Sequence, residues 1–250
     1  MSGHSKWSQI KRQKGANDAK RGAVFTKIAR EISVVARQGG ADPDANYRLR
    51  LAIEKARAVN MPQDNIKRTI ERAAGGGDAE QIEEIVYEGY GPGGVAILVE
   101  AATDNRNRTA ADVRSIFSKA GGQLAGSGAV AWQFEPRGVI AIGRDGVDPD
   151  EVALAAIDAG AEDIDTSDDP IEVLTTPGDL EGVRRSLEDA GVPIESAELI
   201  LNPKARIEIE ATQARQNLRL IEALEDHDDV QRVTANFDLP DEVFAEAASA

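Results

Sequence analysis

The chain has 250 residues, 41% hydrophobic and 29% charged, with no cysteine and only two histidines (His4 and His227). That length can bury more than one core, and the composition excludes disulfides, thiolate zinc sites, iron–sulfur clusters and a multi-histidine metal centre. The formal charge of −15 is unevenly divided: residues 1–75 hold 16 Lys/Arg against 7 Asp/Glu, net +9, and residues 76–250 hold 13 against 37, net −24.

A polar basic arm runs to about Ala19 and is followed by three predicted helices. The first spans about Lys20–Gln38, with Phe25, Ile28, Ile32 and Val35 at helical spacing and Gly39-Gly40 as its stop. The second spans about Asn46–Val59 and turns Leu49, Ala52, Ile53 and Ala56 inward. The third opens at Pro62, favoured in a first helical turn, and buries Ile66 and Ile70. Gly75-Gly76-Gly77-Asp78 then breaks the helical pattern.

Beyond residue 78, strands and helices alternate. Ile82–Glu88 reads as a strand and Val95–Ala101 as a buried one. A helix is expected over Thr109–Ala120, capped by Thr109, then strands at Ala129–Phe134 and, after Pro136, Gly138–Ile142. Helices follow at Pro149–Ala159, Asp179–Ala190 and Gln213–Glu225, with strands at Ile171–Thr175, Ala197–Leu201, Ala205–Ile209 and Gln231–Phe237. Three helices end on Ala-Gly, at Gly121, Gly160 and Gly191, where glycine suits a left-handed stop.

The expected class is α+β and multi-domain. A three-helix N-terminal domain (1–77) precedes two ferredoxin-like α/β domains, one formed by 78–135 with 205–240. The other (136–204) is inserted in it, and 241–250 is a tail. An uninterrupted tandem is the alternative layout.

The arm supplies Lys6, Lys11, Arg12, Lys14, Lys20 and Arg21, with Trp7 among them, and the helices add Lys27, Arg30, Arg48, Arg50 and Lys55. Cations displace the counterions of a phosphate backbone, and an aromatic ring can stack on an exposed base. These twelve residues are the candidate nucleic-acid contacts; a solvated charged tail is the plain alternative for the arm. Arg106 and Arg108, in the polar loop Thr103–Thr109, are secondary candidates that either orient a phosphate or brace the turn.

Gly89-Tyr90-Gly91-Pro92-Gly93-Gly94 matches a dinucleotide fingerprint in letters only. That site needs a helix after the glycines, whereas VAILVEA reads as a strand, so a hairpin turn is expected. His227, in Glu225-Asp226-His227-Asp228-Asp229, reads as part of a solvated turn. No nucleophile–base pair or paired carboxylates occur in a recognisable motif, so no catalytic residue, metal or cofactor is expected. No run approaches the roughly 18–20 apolar residues of a membrane span, and the opening MSGHSKWSQIKRQK has no apolar signal core. A cytoplasmic protein without a membrane partner is expected.

Several blocks resemble the YebC family, also called PmpR. They are Gly3-His4-Ser5-Lys6-Trp7, Asp18-Ala19-Lys20-Arg21-Gly22, Asn46–Ile53, Asn60–Ile66, Tyr87–Gly94, Thr103–Thr109 and Asn236-Phe237-Asp238. The resemblance runs in register over about residues 2–239, with Tyr47 where the family often has Pro and Gln63 where Lys is common. It implies an N-terminal helical domain followed by two α/β domains, in a DNA-binding transcriptional regulator. The alternative that it implies is a ribosome-associated translation factor, binding ribosomal RNA or tRNA and relieving stalls at proline-rich stretches. The residues themselves do not choose DNA over RNA, because most of the cations suit phosphates, which position without specifying.

Overall fold

Three helices, α1 (Asp18–Gly39), α2 (Tyr47–Ala58) and α3 (Gln63–Ala74), open the computed structural model, which describes residues 18–75, 82–167 and 169–248. Their apolar stripes meet in one core of Ile28, Ile32, Val35, Leu49, Ala52, Ile53, Ala56, Met61 and Ile66, with Phe25 only partly buried at its edge. Gly40 ends α1 in the left-handed region (φ 92°). Asn46 then ties α1 to α2. Its side chain accepts from Leu49 N–H at 3.1 Å as the N-cap and donates to the carbonyls of Val35 and Gly40, both at 2.8 Å. Pro62 lies one residue outside α3, at its N-cap.

The first sheet contains β1 (Glu83–Gly91), β2 (Val95–Thr103), β3 (Gln123–Leu124) and β8 (Val230–Ala235), in the order β3-β1-β2-β8. A 3-10 turn at Pro92–Gly94, with Gly93 at φ 82° and Gly94 at φ 78°, makes the GYGPGG segment a hairpin between antiparallel strands. Helices α4 (Arg106–Lys119) and α7 (Ala211–Glu225) pack on each other and on this sheet. Phe117 of α4 and Asn217 of α7 fill the space beneath Gly89 and Gly91, where a Cβ would collide with them. Successive residues of a strand face opposite ways, yet nearly all of β2 is buried. Helices α4 and α7 cover one face, and α1, which packs on β2 and β8, covers the other.

The second sheet contains β4 (Phe134–Ile142), β5 (Asp163–Asp165), β6 (Ile171–Thr175) and β7 (Ile194–Pro203), in the order β5-β6-β4-β7. With α5 (Pro149–Asp158) and α6 (Leu180–Asp189) it follows the βαββαβ winding of a ferredoxin-like unit. The first sheet is also four-stranded, antiparallel and helix-backed, but it begins with a hairpin. Helix α8 (Asp241–Ala248) follows β8. Among the described residues, the chain falls into two compact units, 18–133 with 205–237 and 134–204 with 238–248. The class is α+β, with N-terminal helices and then two four-stranded antiparallel sheets. Among the described residues, no helix is long and apolar enough to cross a membrane.

Four local expectations need correction. Thr109 does not cap α4. Asn105, in extended conformation, accepts from Arg108 N–H at 3.1 Å, and the helix starts at Arg106. Ala129–Phe134 is not a strand: a 3-10 turn occupies Ala131–Gln133, and the strand begins at Phe134 and runs through Pro136. The backbone N–H groups of Gly128, Val130 and Ala131, which a strand would offer to a neighbour, go instead to the Glu88 carboxylate. Within Ala205–Ile209 only Ile207 pairs, in an isolated bridge to Phe237. The segment expected as a tail forms α8, with Asp241 and Glu242 in its first turn.

Candidate nucleic-acid interface

Of the twelve candidate contacts, Lys6, Trp7, Lys11, Arg12 and Lys14 lie outside the described residues. Lys20 and Arg21 fall in the first turn of α1, and their side chains are not described. Among the other candidates, Lys27, Arg30, Arg48 and Lys55 meet acceptors within the same compact unit. Arg48 donates to Gln38 Oε1 at 2.7 Å and to Glu84 at 3.0 Å, with about half of each ion-pairing side chain exposed. Lys55 pairs with Glu31 at 2.7 Å, also near the surface. The Arg50 guanidinium sits 5.4 Å from the centroid of the Tyr47 ring, a cation–π contact. Arg106 pairs with Glu83 at 3.8 Å, and its carbonyl accepts from the Tyr87 hydroxyl at 3.2 Å.

A second group converges on Asp229. This carboxylate is 2% exposed. Its Oδ1 accepts from Arg30 at 2.6 Å, while Oδ2 accepts from Thr109 at 2.6 Å, Arg108 at 3.0 Å and Thr103 at 3.1 Å. Arg30 also donates to the Asp228 carbonyl at 2.6 Å, and Lys27 donates to the Glu225 carbonyl. The same Arg108 Nη2 also donates to Asp104 Oδ1 at 2.7 Å. Burial alone would raise the pKa of Asp229; the donors outweigh it and hold the carboxyl below its ordinary value. The same bonds push the Arg108 pKa up. Arg108, in the first turn of α4, thus braces the turn, and Asp229 joins α1 to the end of β2, the start of α4 and the α7–β8 turn. His227 belongs to this corner: its Nδ1 accepts from Asp229 N–H at 3.1 Å, and its Nε2 is 3.3 Å from Asp112 Oδ2.

Glu100 is the opposite case. It lies on the α1 face of β2, with Oε2 buried and, among the described residues, without a hydrogen-bond partner. Burial pushes its pKa up, opposed by Arg232 and assisted by Glu84 and Glu31.

Sequence reasoning missed the role of Asp229 because its four donors come from three separate segments. It also missed the loop organised by Glu88, 5% exposed, whose carboxylate receives N–H groups from forty or more residues away at 2.6–2.8 Å. The run Ala125–Ala131, uncharged and carrying two glycines before Trp132, was the available signal.

Residues 5–76 match the TACO1/YebC protein N-terminal domain, and residues 82–237 match the TACO1/YebC second and third domain. The chain belongs to the TACO1/YebC family. A relative from Rubrobacter xylanophilus, named a probable transcriptional regulatory protein, is 55% identical over 99% of this chain and 100% of its own. One of the same name from Chloroflexus aggregans is 54% identical, over 97% of this chain and 98% of its own. The crystal structure of a conserved hypothetical protein, Aq1575, from Aquifex aeolicus superposes with a TM-score of 0.84 at 46% identity, covering 90% of this chain and 93% of that one.

Proposed function

We propose that this protein is a nucleic-acid-binding regulator of gene expression, a DNA-binding transcriptional regulator of the YebC type that contacts phosphates through its N-terminal module. One observation carries the reading: net +9 in residues 1–75 against net −24 in the rest of the chain. A polyanion is attracted to the first part and repelled by the second. The name shared by the relatives, probable transcriptional regulatory protein, supports the regulatory role.

The ion pairs divide the candidate contacts. Pairs as exposed as Arg48–Glu84 and Lys55–Glu31 are worth roughly 0–1 kcal/mol, so a phosphate can replace the carboxylate at little cost. Arg30 and Arg108 are committed to Asp229 and hold the module in place. The arm and the exposed pairs are therefore assigned to binding, with no catalytic step and no cofactor.

Titrating the full chain with duplex DNA and with ribosomal RNA at several salt concentrations tests the proposal. With about six phosphate contacts, the slope of log K against log salt is expected near −4 to −5, depending on strandedness. A salt-independent affinity would remove the basic module as the contact surface. Footprinting at defined promoters favours the DNA reading, whereas co-migration with ribosomes in salt-washed gradients transfers it to RNA and a translation role.

A further inference from the structure

We infer that Tyr90 and Trp132 form a stacking site for an unpaired base of a single-stranded nucleic acid, an inference that rests on the nucleic-acid reading above. The polar ends of the two rings converge on one acceptor, the Ala129 carbonyl, which receives the Tyr90 hydroxyl at 3.0 Å and Trp132 Nε1 at 3.2 Å. Their apolar surfaces stay open to water, with Tyr90 38% and Trp132 67% exposed. Glu88 holds the intervening loop through three backbone N–H groups. The rings are therefore anchored before anything binds, which lowers the ordering cost of stacking.

Charge and placement favour a base over other occupants. From Ala125 to Gln133 the chain has no ionisable side chain, and three donors compensate the Glu88 carboxylate. The loop neither repels nor captures phosphates, so the aromatic surface is its main offering, and every base has a π-face to place on it. Tyr90, Glu88, Val86 and Glu84 alternate onto one face of β1. At its far end Glu84 meets Arg48 of the basic module. Six residue steps along the strand separate Tyr90 from Glu84, about 20 Å. A strand spanning roughly 4–16 nucleotides, the footprint of single-strand binding folds, covers that distance.

The test uses the full chain carrying Trp7→Phe, which leaves Trp132 as the sole indole, titrated with a 12-nucleotide oligouridylate and with an RNA duplex of equal length. The oligouridylate is expected to quench Trp132 emission and the duplex to leave it unchanged. Adding Trp132→Ala should weaken oligouridylate binding roughly 5- to 150-fold, the range of one lost base–aromatic stack. The salt slope should stay constant, because stacking releases no counterions, and Trp132→Phe should recover part of the affinity. Salt-dependent binding that Trp132→Ala leaves intact overturns the stacking site while the nucleic-acid reading stands. Equal losses on both probes assign Trp132 a structural role and also overturn it. Failure of both the unmodified chain and the Trp7→Phe chain to bind either probe at low salt overturns the stacking site, and the duplex-DNA titration above then decides the nucleic-acid reading. If Trp132→Ala lowers the melting temperature, the quench and the Phe variant decide.

Discussion

Asp229 keeps a charge in a place almost closed to water, and its stability depends on four donors drawn from helix α1, the end of strand β2 and the first turn of α4. Because its pKa is lowered on folding, its contribution is present above the unfolded value and is lost as pH falls through the folded one. Asp229→Asn is expected to cost about 2–3 kcal/mol at neutral pH, the scale of hydrogen bonds to a charged group. Urea melts should show that deficit shrinking below about pH 4, near and below the ordinary carboxyl range; a constant deficit would mean that shape, not charge, is what Asn loses. Glu100 has the reverse sign. Its pKa is raised, so the penalty of ionising it is absent in acid and grows as pH climbs from the unfolded value through the folded one. Glu100→Gln is expected to raise the melting temperature at pH 7 and to leave it unchanged below about pH 4. A destabilised variant at pH 7 would show that the pairing with Arg232 outweighs the burial.

The helices were the most legible elements. Their apolar residues recur at the helical period, and the left-handed glycines Gly40, Gly121, Gly160 and Gly191 mark their ends in the residues themselves. Short strands were less so: β3 has two residues and β5 reads Asp-Ile-Asp, so neither carries a period, and neighbouring strands impose both. Ala129–Phe134 had strand-like letters, but its backbone donors were claimed by Glu88, a residue too distant for local patterning to reveal. The basic cluster was legible as composition, whereas its division into exposed pairs and buried braces depends on carboxylates that only the tertiary fold brings near. Asn46 shows how one residue sets the relation of two helices. Asn46→Ala removes the α2 cap and strands the Val35 and Gly40 carbonyls, so a loss of about 2–3 kcal/mol is expected by chemical denaturation. In the core of the same bundle, Ile32→Ala should cost about 2–5 kcal/mol, and Phe25→Ala less, because that ring is only partly buried.

For the molecule as a whole, binding and folding should separate by mutation. Replacing Arg48 and Lys55 together by Ala is expected to change stability by at most about 2 kcal/mol, since each of the two pairs is near the surface. The same variant should weaken nucleic-acid binding severalfold and flatten the salt slope by roughly 0.7–0.9 per lost contact. Unchanged affinity and slope would confine the contact surface to the arm. Arg30→Ala should do the converse, lowering the melting temperature through Asp229 and affecting binding only as the module loosens. Helix α1 also covers one face of the first sheet. Residues 82–248 expressed alone would bare that face and are expected to aggregate or bind hydrophobic dyes where the full chain does not.

The placement of β8 also matters while the chain is being made. The first sheet has three of its strands by Leu124, yet its β2 edge stays open until Val230–Ala235 arrives, with the whole second sheet synthesised in between. At roughly 5–20 residues per second, about 5–20 s pass between Gln133 leaving the peptidyl-transferase centre and Ala235 being added. During that interval the second sheet, whose strands and helices are contiguous in the chain, can close first. The early half waits with an unpaired apolar strand, the kind of surface on which nascent-chain chaperones act. Expression yield should therefore be more sensitive to lesions that slow closure of residues 134–204 than to equally destabilising ones in α8, the last described element to be made.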